Sequence, residues 1–187
     1  MEEVNVSFIP DGDTIRLKDG RWVRFPGMDA PEIGHGDRPD NCGGIMSRDS
    51  LRDLIGGSRL FMKSSGMDRY GRVLGSLFLQ DGTCISTEMI RMGMAWVYIH
   101  GKPDQNTEAW LQLQQEAIRM GEGIWSLLPD KSHSLTGNRR SYRFHQSDCS
   151  YARKINTANR VTFPSLKSAF MAGYAPAREC LPDPICP

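Results

Sequence analysis

The chain has 187 residues, 39% of them hydrophobic and 24% charged, which is enough apolar side chain for a proper core and excludes a disordered polymer. No apolar run approaches the ~18–20 residues of a membrane helix, so an integral helical membrane protein is excluded. The net charge of +1 hides an asymmetry: residues 1–130 carry 14 Lys/Arg and 19 Asp/Glu (−5), and residues 131–187 carry 9 and 3 (+6). That balance does not announce a nucleic-acid binder, and the basic tail reads either as a contact surface or as a solvated face.

In chain order, Val4 to Phe8 alternates at period two, as does Thr14-Ile15-Arg16-Leu17-Lys18. Asp19-Gly20 offers a two-residue turn, and Arg21-Trp22-Val23-Arg24-Phe25 returns as the second strand of a hairpin. With that turn, paired positions sum to 39; Ile15 faces Arg24, and Asp13 is the diagonal neighbour of Arg24 on one face. Met46, Leu51, Leu54 and Ile55 have helical spacing and stop at Gly56-Gly57. Strands are predicted at residues 59–62 and 72–79, the second ending at the Asp81-Gly82 turn. A short helix over 86–92 ends at Gly93, and Ala95-Trp96-Val97-Tyr98 reads as a strand. A longer helix over 107–120 has an apolar stripe of Trp110, Leu113, Ala117 and Met120, and Trp125 is expected to pack back on the body.

The spacing predicts an α+β unit over 1–125, a Pro/Ser/Gly-containing linker over 126–137, and a small basic α+β module over 138–187. Five cysteines (Cys42, Cys84, Cys149, Cys180, Cys186) are odd in number and scattered, so no disulfide framework is expected.

Three short runs carry chemistry. Asp11-Gly12-Asp13-Thr14 places two carboxylates beside a glycine, which suits a hard cation that takes oxygen ligands, although an Asp-Gly turn alone also explains it. Arg24 to Glu32 adds a guanidinium and the carboxylates of Asp29 and Glu32 at the end of the hairpin. Such a cluster serves as a solvated rim, an ion pair or a site. Asp68-Arg69-Tyr70-Gly71-Arg72 is either a polar loop or a turn that aims a second guanidinium at an oxyanion.

In this order, Asp-Gly-Asp-Thr, Arg-x-x-x-x-Asp-Ala-Pro-Glu and Asp-Arg-Tyr-Gly-Arg resemble the staphylococcal (thermonuclease) nuclease family, over residues 4–125 and including Gly123-Ile124-Trp125. The resemblance implies a five-stranded OB-fold barrel with three helices, and calcium-dependent hydrolysis of DNA and RNA with single-stranded or unpaired substrate preferred. It implies calcium carboxylates at Asp13 and Asp29, the backbone carbonyl of Ala30 as a third ligand, and Asp11 and Thr14 supporting them. It further implies Arg24 and Arg72 on the scissile phosphate, Glu32 acting on the attacking water, and Tyr70 bonded to a phosphate. A base-stacking tyrosine is implied near Tyr98, where a second register would name Trp96. His35 and Asp37 are expected in a loop, His35 as a solvated residue. The alternative class is a nuclease-like barrel that only binds nucleic acid or protein, and a third is a peptide- or oligosaccharide-binding barrel. The retention of Asp13, Arg24, Asp29, Glu32 and Arg72 favours the enzyme.

The tail more loosely resembles the zinc module of the Ada DNA-repair protein, through Phe144-His145-x-x-x-Cys149, Asn159-Arg160-Val161-x-Phe163 and Ala172-Gly173-Tyr174. By that resemblance the metal positions are His145, Cys149, Ala177 and Cys180, of which alanine is no ligand, so a basic docking surface is the expected role and zinc the alternative. Cys186 is at the wrong spacing to substitute. A monomer without membrane contact is expected. The absence of a leader and the free thiols suggest a reducing compartment, unless the true start lies upstream.

Overall fold

The computed structural model describes residues 1–34, 36, 39–103, 105–129, 134–178 and 180; His35, Asp37 and Cys186 lie outside them. The first sheet contains β1 (Glu2–Val4), β2 (Val6–Phe8), β3 (Thr14–Leu17), β4 (Trp22–Arg24), β6 (Leu60–Met67) and β7 (Val73–Leu79), in the order β1-β6-β7-β4-β3-β2. Its end strands β1 and β2 are consecutive in the chain and separated by Asn5 alone. Neighbours are antiparallel except β4 and β7, which run parallel. A separate antiparallel pair joins β5 (Met28–Asp29) to β8 (Trp96–Val97). Ile15 and Leu17 are buried while Arg16 between them is exposed, as the period-two alternation requires.

The hairpin forms with a different register from the one expected. Thr14, not Ile15, faces Arg24, so partners sum to 38. The reason is the turn: Leu17 N–H donates to Arg21 C=O, leaving Lys18-Asp19-Gly20 as a three-residue loop, with Gly20 at φ 93° supplying the left-handed position.

The helices α1 (Gly44–Ile55), α2 (Ile85–Arg91) and α3 (Gln105–Met120) pack around this sheet. In α1 the buried positions Gly44, Ser47, Leu51 and Ile55 recur every three or four residues and so share one face. The stripe expected for α3 is partly corrected. Met120 is 71% exposed, and Gln114, Ala117 and Ile118 are the buried positions, because the tail covers a face rotated from the one the apolar pattern marked.

The tail has a sheet of order β11-β9-β10-β12, built from β9 (Leu135–Asn138), β10 (Arg143–Gln146), β11 (Arg160–Phe163) and β12 (Ala175–Pro176). Two helices accompany it, α4 (Ser150–Arg153) and α5 (Leu166–Met171), the second started by a capping box between Ser165 and Ser168. The strand β9 begins inside the stretch read as linker, with Leu135 buried. Tail and body share one apolar cluster: Trp96, Ile118, Ile124 and Trp125 from the body meet Phe144, Phe163, Phe170 and Tyr174. The buried Gln114 fastens them, accepting from Val97 N–H at 2.6 Å and donating to Phe170 C=O at 2.7 Å.

The cysteine expectation is overturned. Cys149 and Cys180 form a disulfide with Cα atoms 6.0 Å apart, and Cys42 is disulfide-bonded as well; Cys84 is free. Folding joins residues 31 apart in sequence by setting the N-terminus of α4 beside the segment after β12, a proximity that spacing along the chain does not reveal. The argument from free thiols to a reducing compartment loses its premise with this pairing. Among the described residues no helix is long and apolar enough to cross a membrane.

Candidate active site

The acidic cluster is assembled by the loop before β3, the end of β4 and the strand β5. Gly12 is required in that loop: a Cβ there would lie 1.8 Å from Ser47 Oγ and 3.0 Å from the Ala30 Cβ. Ser47, buried on α1, is in turn held by donating to Met94 C=O at 2.7 Å. Close packing against Ser47 therefore sets the Asp11-Gly12-Asp13 backbone. Sequence reading missed this residue, since a serine in an amphipathic helix carries no signal of its own.

Arg24, Asp13 and Asp29 converge in the interior, where all three are nearly inaccessible. One guanidinium nitrogen of Arg24, Nη1, donates to Phe25 C=O at 2.6 Å and Met28 C=O at 2.8 Å. The other, Nη2, lies 3.1 Å from Asp13 Oδ2 and donates to Asp29 Oδ1. The expected pairing of Asp13 with Arg24 thus forms despite the altered register, because Asp13 stands just before β3, where strand alternation no longer dictates its direction. Asp13 also accepts from Thr14 Oγ1 at 2.8 Å and from Ala30 N–H at 2.9 Å, and Asp11 accepts from Asp13 N–H at 3.0 Å. Glu32 stands half-exposed at the rim.

Crowding of these carboxylates has an electrostatic cost. Burial, and next the charge of Asp13, raise the carboxyls of Asp11 and Asp29 to about 7, although Arg24 and an arginine of the tail, Arg178, oppose the rise at Asp29. All the available donors are oxygens, the set a hard divalent cation takes, and the surplus of negative charge is what such an ion relieves. The residues fit a hard divalent cation.

Among the described residues Arg72 pairs with Asp68 rather than with Asp11, Asp13, Asp29 or Glu32. Its Nε donates to Asp68 Oδ2 at 2.8 Å, and its guanidinium lies 5.6 Å from the Tyr70 ring. Arg72 immediately precedes β7, whose Val73 and Leu74 pair with Val23 and Arg24 of the parallel β4. Tyr70 is exposed, and its hydroxyl accepts from Arg69 Nη2 at 2.6 Å. Of the stacking candidates, Trp96 is core, packed on Phe170 at 5.6 Å. Tyr98 is half-buried with the Arg143 guanidinium 3.4 Å from its ring centre.

Two features of the tail complete the picture. The ligand atoms of His145, Cys149 and Cys180 lie within 4.8 Å of one another, with His145 Nδ1 3.1 Å from Cys180 Sγ, but both sulfurs are committed to the disulfide, and Ala177, just after β12, is buried and offers no ligand. Arg178 reaches into the acidic cluster, its Nη2 2.8 Å from Glu32 Oε1 and 3.3 Å from Asp29 Oδ1. Nothing in the sequence motifs pointed to it.

Comparison with known proteins gives the family. Residues 22–127 match the family described as staphylococcal nuclease homologue. A protein of Escherichia coli named "Uncharacterized endonuclease" is 37% identical over 120 residues, 62% of this chain and 72% of its own length. The micrococcal nuclease of Shigella flexneri is 36% identical over 131 residues, 63% of this chain and 70% of its own. Endonuclease YhcR of Bacillus subtilis (strain 168) is 28% identical over 197 residues, so that the likeness spans 90% of this chain and 16% of that larger protein. With the family matched over more than half of its length, the chain belongs to the staphylococcal nuclease homologues and is a nuclease.

Proposed function

We propose that the chain is a calcium-dependent endonuclease that hydrolyses DNA and RNA phosphodiesters with little sequence specificity and takes single-stranded or unpaired substrate. The observation that carries this reading is the buried guanidinium of Arg24 held between Asp13 and Asp29, in a chain of a nuclease family. Residues 1–125 act as the nuclease unit, and residues 138–187 act as an Ada-like basic module, whose described part, with β9, packs on that unit through the shared apolar cluster. A five-stranded OB-type barrel is the reading supported by β1 and β2, which lie at the two ends of the sheet order with one residue between them.

Asp13, Asp29 and the carbonyl of Ala30 would hold the cation, with Asp11 and Thr14 supporting Asp13 through their hydrogen bonds. A calcium ion held there would supply positive charge against the phosphate and Lewis acidity toward water. Arg24 and Arg72, always charged, bind the phosphate and stabilise the negative charge that grows on its equatorial oxygens. Glu32, open to solvent at the rim, accepts the proton of the water as oxygen adds to phosphorus and the P–O ester bond to the leaving nucleotide breaks. Tyr70 steadies a neighbouring phosphate, and Tyr98 lies beside the path of a base. The tail trio fits zinc only with both thiols reduced, and no step is assigned to it.

The test is cleavage of heat-denatured DNA by the whole chain in calcium, in excess EGTA, and in calcium with Glu32→Gln. Cleavage is expected in the first arm alone, with Glu32→Gln slower by about 10²–10⁴-fold, the usual worth of a positioned base. A wild type that binds DNA without cutting it in calcium would sink the enzymatic reading, and equal cutting in all three arms would remove both the metal and the base.

A further inference from the structure

Asp29 Oδ1 receives two guanidiniums. Arg24 arrives from the hairpin, and Arg178 arrives from the far end of the chain, 149 residues away from Asp29 in sequence. Both use Nη2, so the buried guanidinium of Arg24 and the largely exposed one of Arg178 meet at a single carboxylate oxygen. Arg178 is not a stray surface residue. The chain on its N-terminal side is pinned by the parallel pairing of β12 with β10 and by Ala177 N–H donating to Phe144 C=O at 2.9 Å. On its C-terminal side Cys180 is tied to Cys149 and lies against His145. The chain is thus held at Ala177 and at Cys180, while the Arg178 side chain is 65% exposed.

The carboxylates that Arg178 contacts are Asp29, assigned to the cation, and Glu32, assigned to the water, so the guanidinium and a cation compete for their charge. Four carboxylates (Asp11, Asp13, Asp29, Glu32) face two guanidiniums (Arg24, Arg178), and a divalent cation balances the surplus. With a cation taking up that surplus, Arg178 is held less strongly by Asp29 and Glu32, at a point where the incoming group is an anion. A planar fork beside that of Arg24 then matches two oxygens of one phosphate, or those of adjacent phosphates.

We propose that Arg178, lent by the tail, is a substrate-binding residue of the nuclease site. It neutralises Asp29 and Glu32 while no cation is present and grips a phosphate of the nucleic acid when one is. The tail thereby contributes directly to the site, beyond acting as a docking surface. This inference rests on the nuclease reading above.

The experiment compares wild type, Arg178→Gln and Arg178→Lys by steady-state kinetics on single-stranded DNA in calcium. Calcium titration calorimetry without DNA is run on each, and so is anisotropy of a labelled oligonucleotide over a salt series, in the Glu32→Gln background. The expected results for Arg178→Gln are a KM about tenfold higher with kcat little changed, a salt slope smaller by about one, and tighter calcium binding because a competing cation has gone. Arg178→Lys, which keeps the charge and loses the fork, should recover part of the KM and the salt slope. Unchanged KM, oligonucleotide affinity and salt slope would reduce Arg178 to a structural counter-ion and overturn the proposal. A lower KM or faster turnover in Arg178→Gln would also overturn it, in favour of an inhibitory plug. Failure of the underlying reading is separately visible, as a wild type that binds no calcium and cleaves nothing.

Discussion

At Asp11 and Asp29 the surroundings oppose ionisation: burial, and then the charge of Asp13, raise each carboxyl to about 7. For Asp11 this makes a stability prediction with a definite sign. A carboxyl with a raised pKa in the folded chain costs stability when ionised. The cost is full above about pH 7 and is relieved as pH falls through the folded value toward the unfolded one near 4. Asp11→Asn removes the charge and keeps an oxygen to accept from Asp13 N–H. In excess EGTA it should melt at higher temperature than wild type at pH 8, and its advantage should shrink steadily toward pH 5. Thermal unfolding followed across that range checks it; an advantage independent of pH would mean that Asp11 does not carry the strain. The same residue illustrates what was legible at this scale. Asp11, Asp13, Arg24, Asp29 and Glu32 were readable because few sequences place so many charges in so short a span, but their burial was not. Arg178 was unreadable, since only the packed tail brings it there.

At the scale of elements, alternation and helical spacing located the hairpin and α1 to α3, while β5, the length of β6 and the strands and helices of the tail were not foreseen. A two-residue and a three-residue loop around Lys18-Asp19-Gly20 differ by one residue, and the sequence suits both. Hydrogen bonding between Leu17 and Arg21 selects the longer one and shifts every partner in the hairpin. In α3 the apolar pattern named Met120, while the docked tail buries Gln114 and satisfies both ends of its amide, a choice that helix periodicity alone cannot foresee. The loop that carries Asp11 and Asp13 depends on contact between elements, with Gly12 against Ser47 of α1. Gly12→Ala should therefore displace the loop, destabilise the fold by about 1–3 kcal/mol as overpacking does, and depress activity by more than that loss of folded protein explains. Chemical denaturation, with cleavage assayed at a temperature where the variant stays folded, separates the two effects. Normal cleavage by a folded Gly12→Ala chain would show that the loop tolerates the shift.

For the whole molecule, the question is whether the tail is an appendage or part of one cooperative body. Division at a linker was the natural reading of Pro, Ser and Gly over 126–137, and composition gave no hint of a shared core. Yet Phe170, fully buried on α5, packs at 5.6 Å from Trp96 and 5.0 Å from Trp125 of the body as well as 5.3 Å from Phe144 of the tail. Gln114 and Gln115 of α3 both donate to carbonyls of α5, and the Arg143 guanidinium lies over Tyr98. A ring at the centre of such a cluster holds both parts, so Phe170→Ala should cost about 3–5 kcal/mol. For a chain of this size that corresponds to a fall in Tm of about 10 °C. Because the core is common, wild type should melt in one transition, and the substitution should move that transition as a whole. Calorimetry at matched calcium and pH distinguishes the outcomes. Two transitions, the higher untouched by Phe170→Ala, would mean that the tail folds and unfolds on its own. In that case Arg178 would leave the site whenever the tail came off, and its hold on a phosphate would be set by docking of the tail as much as by the guanidinium itself.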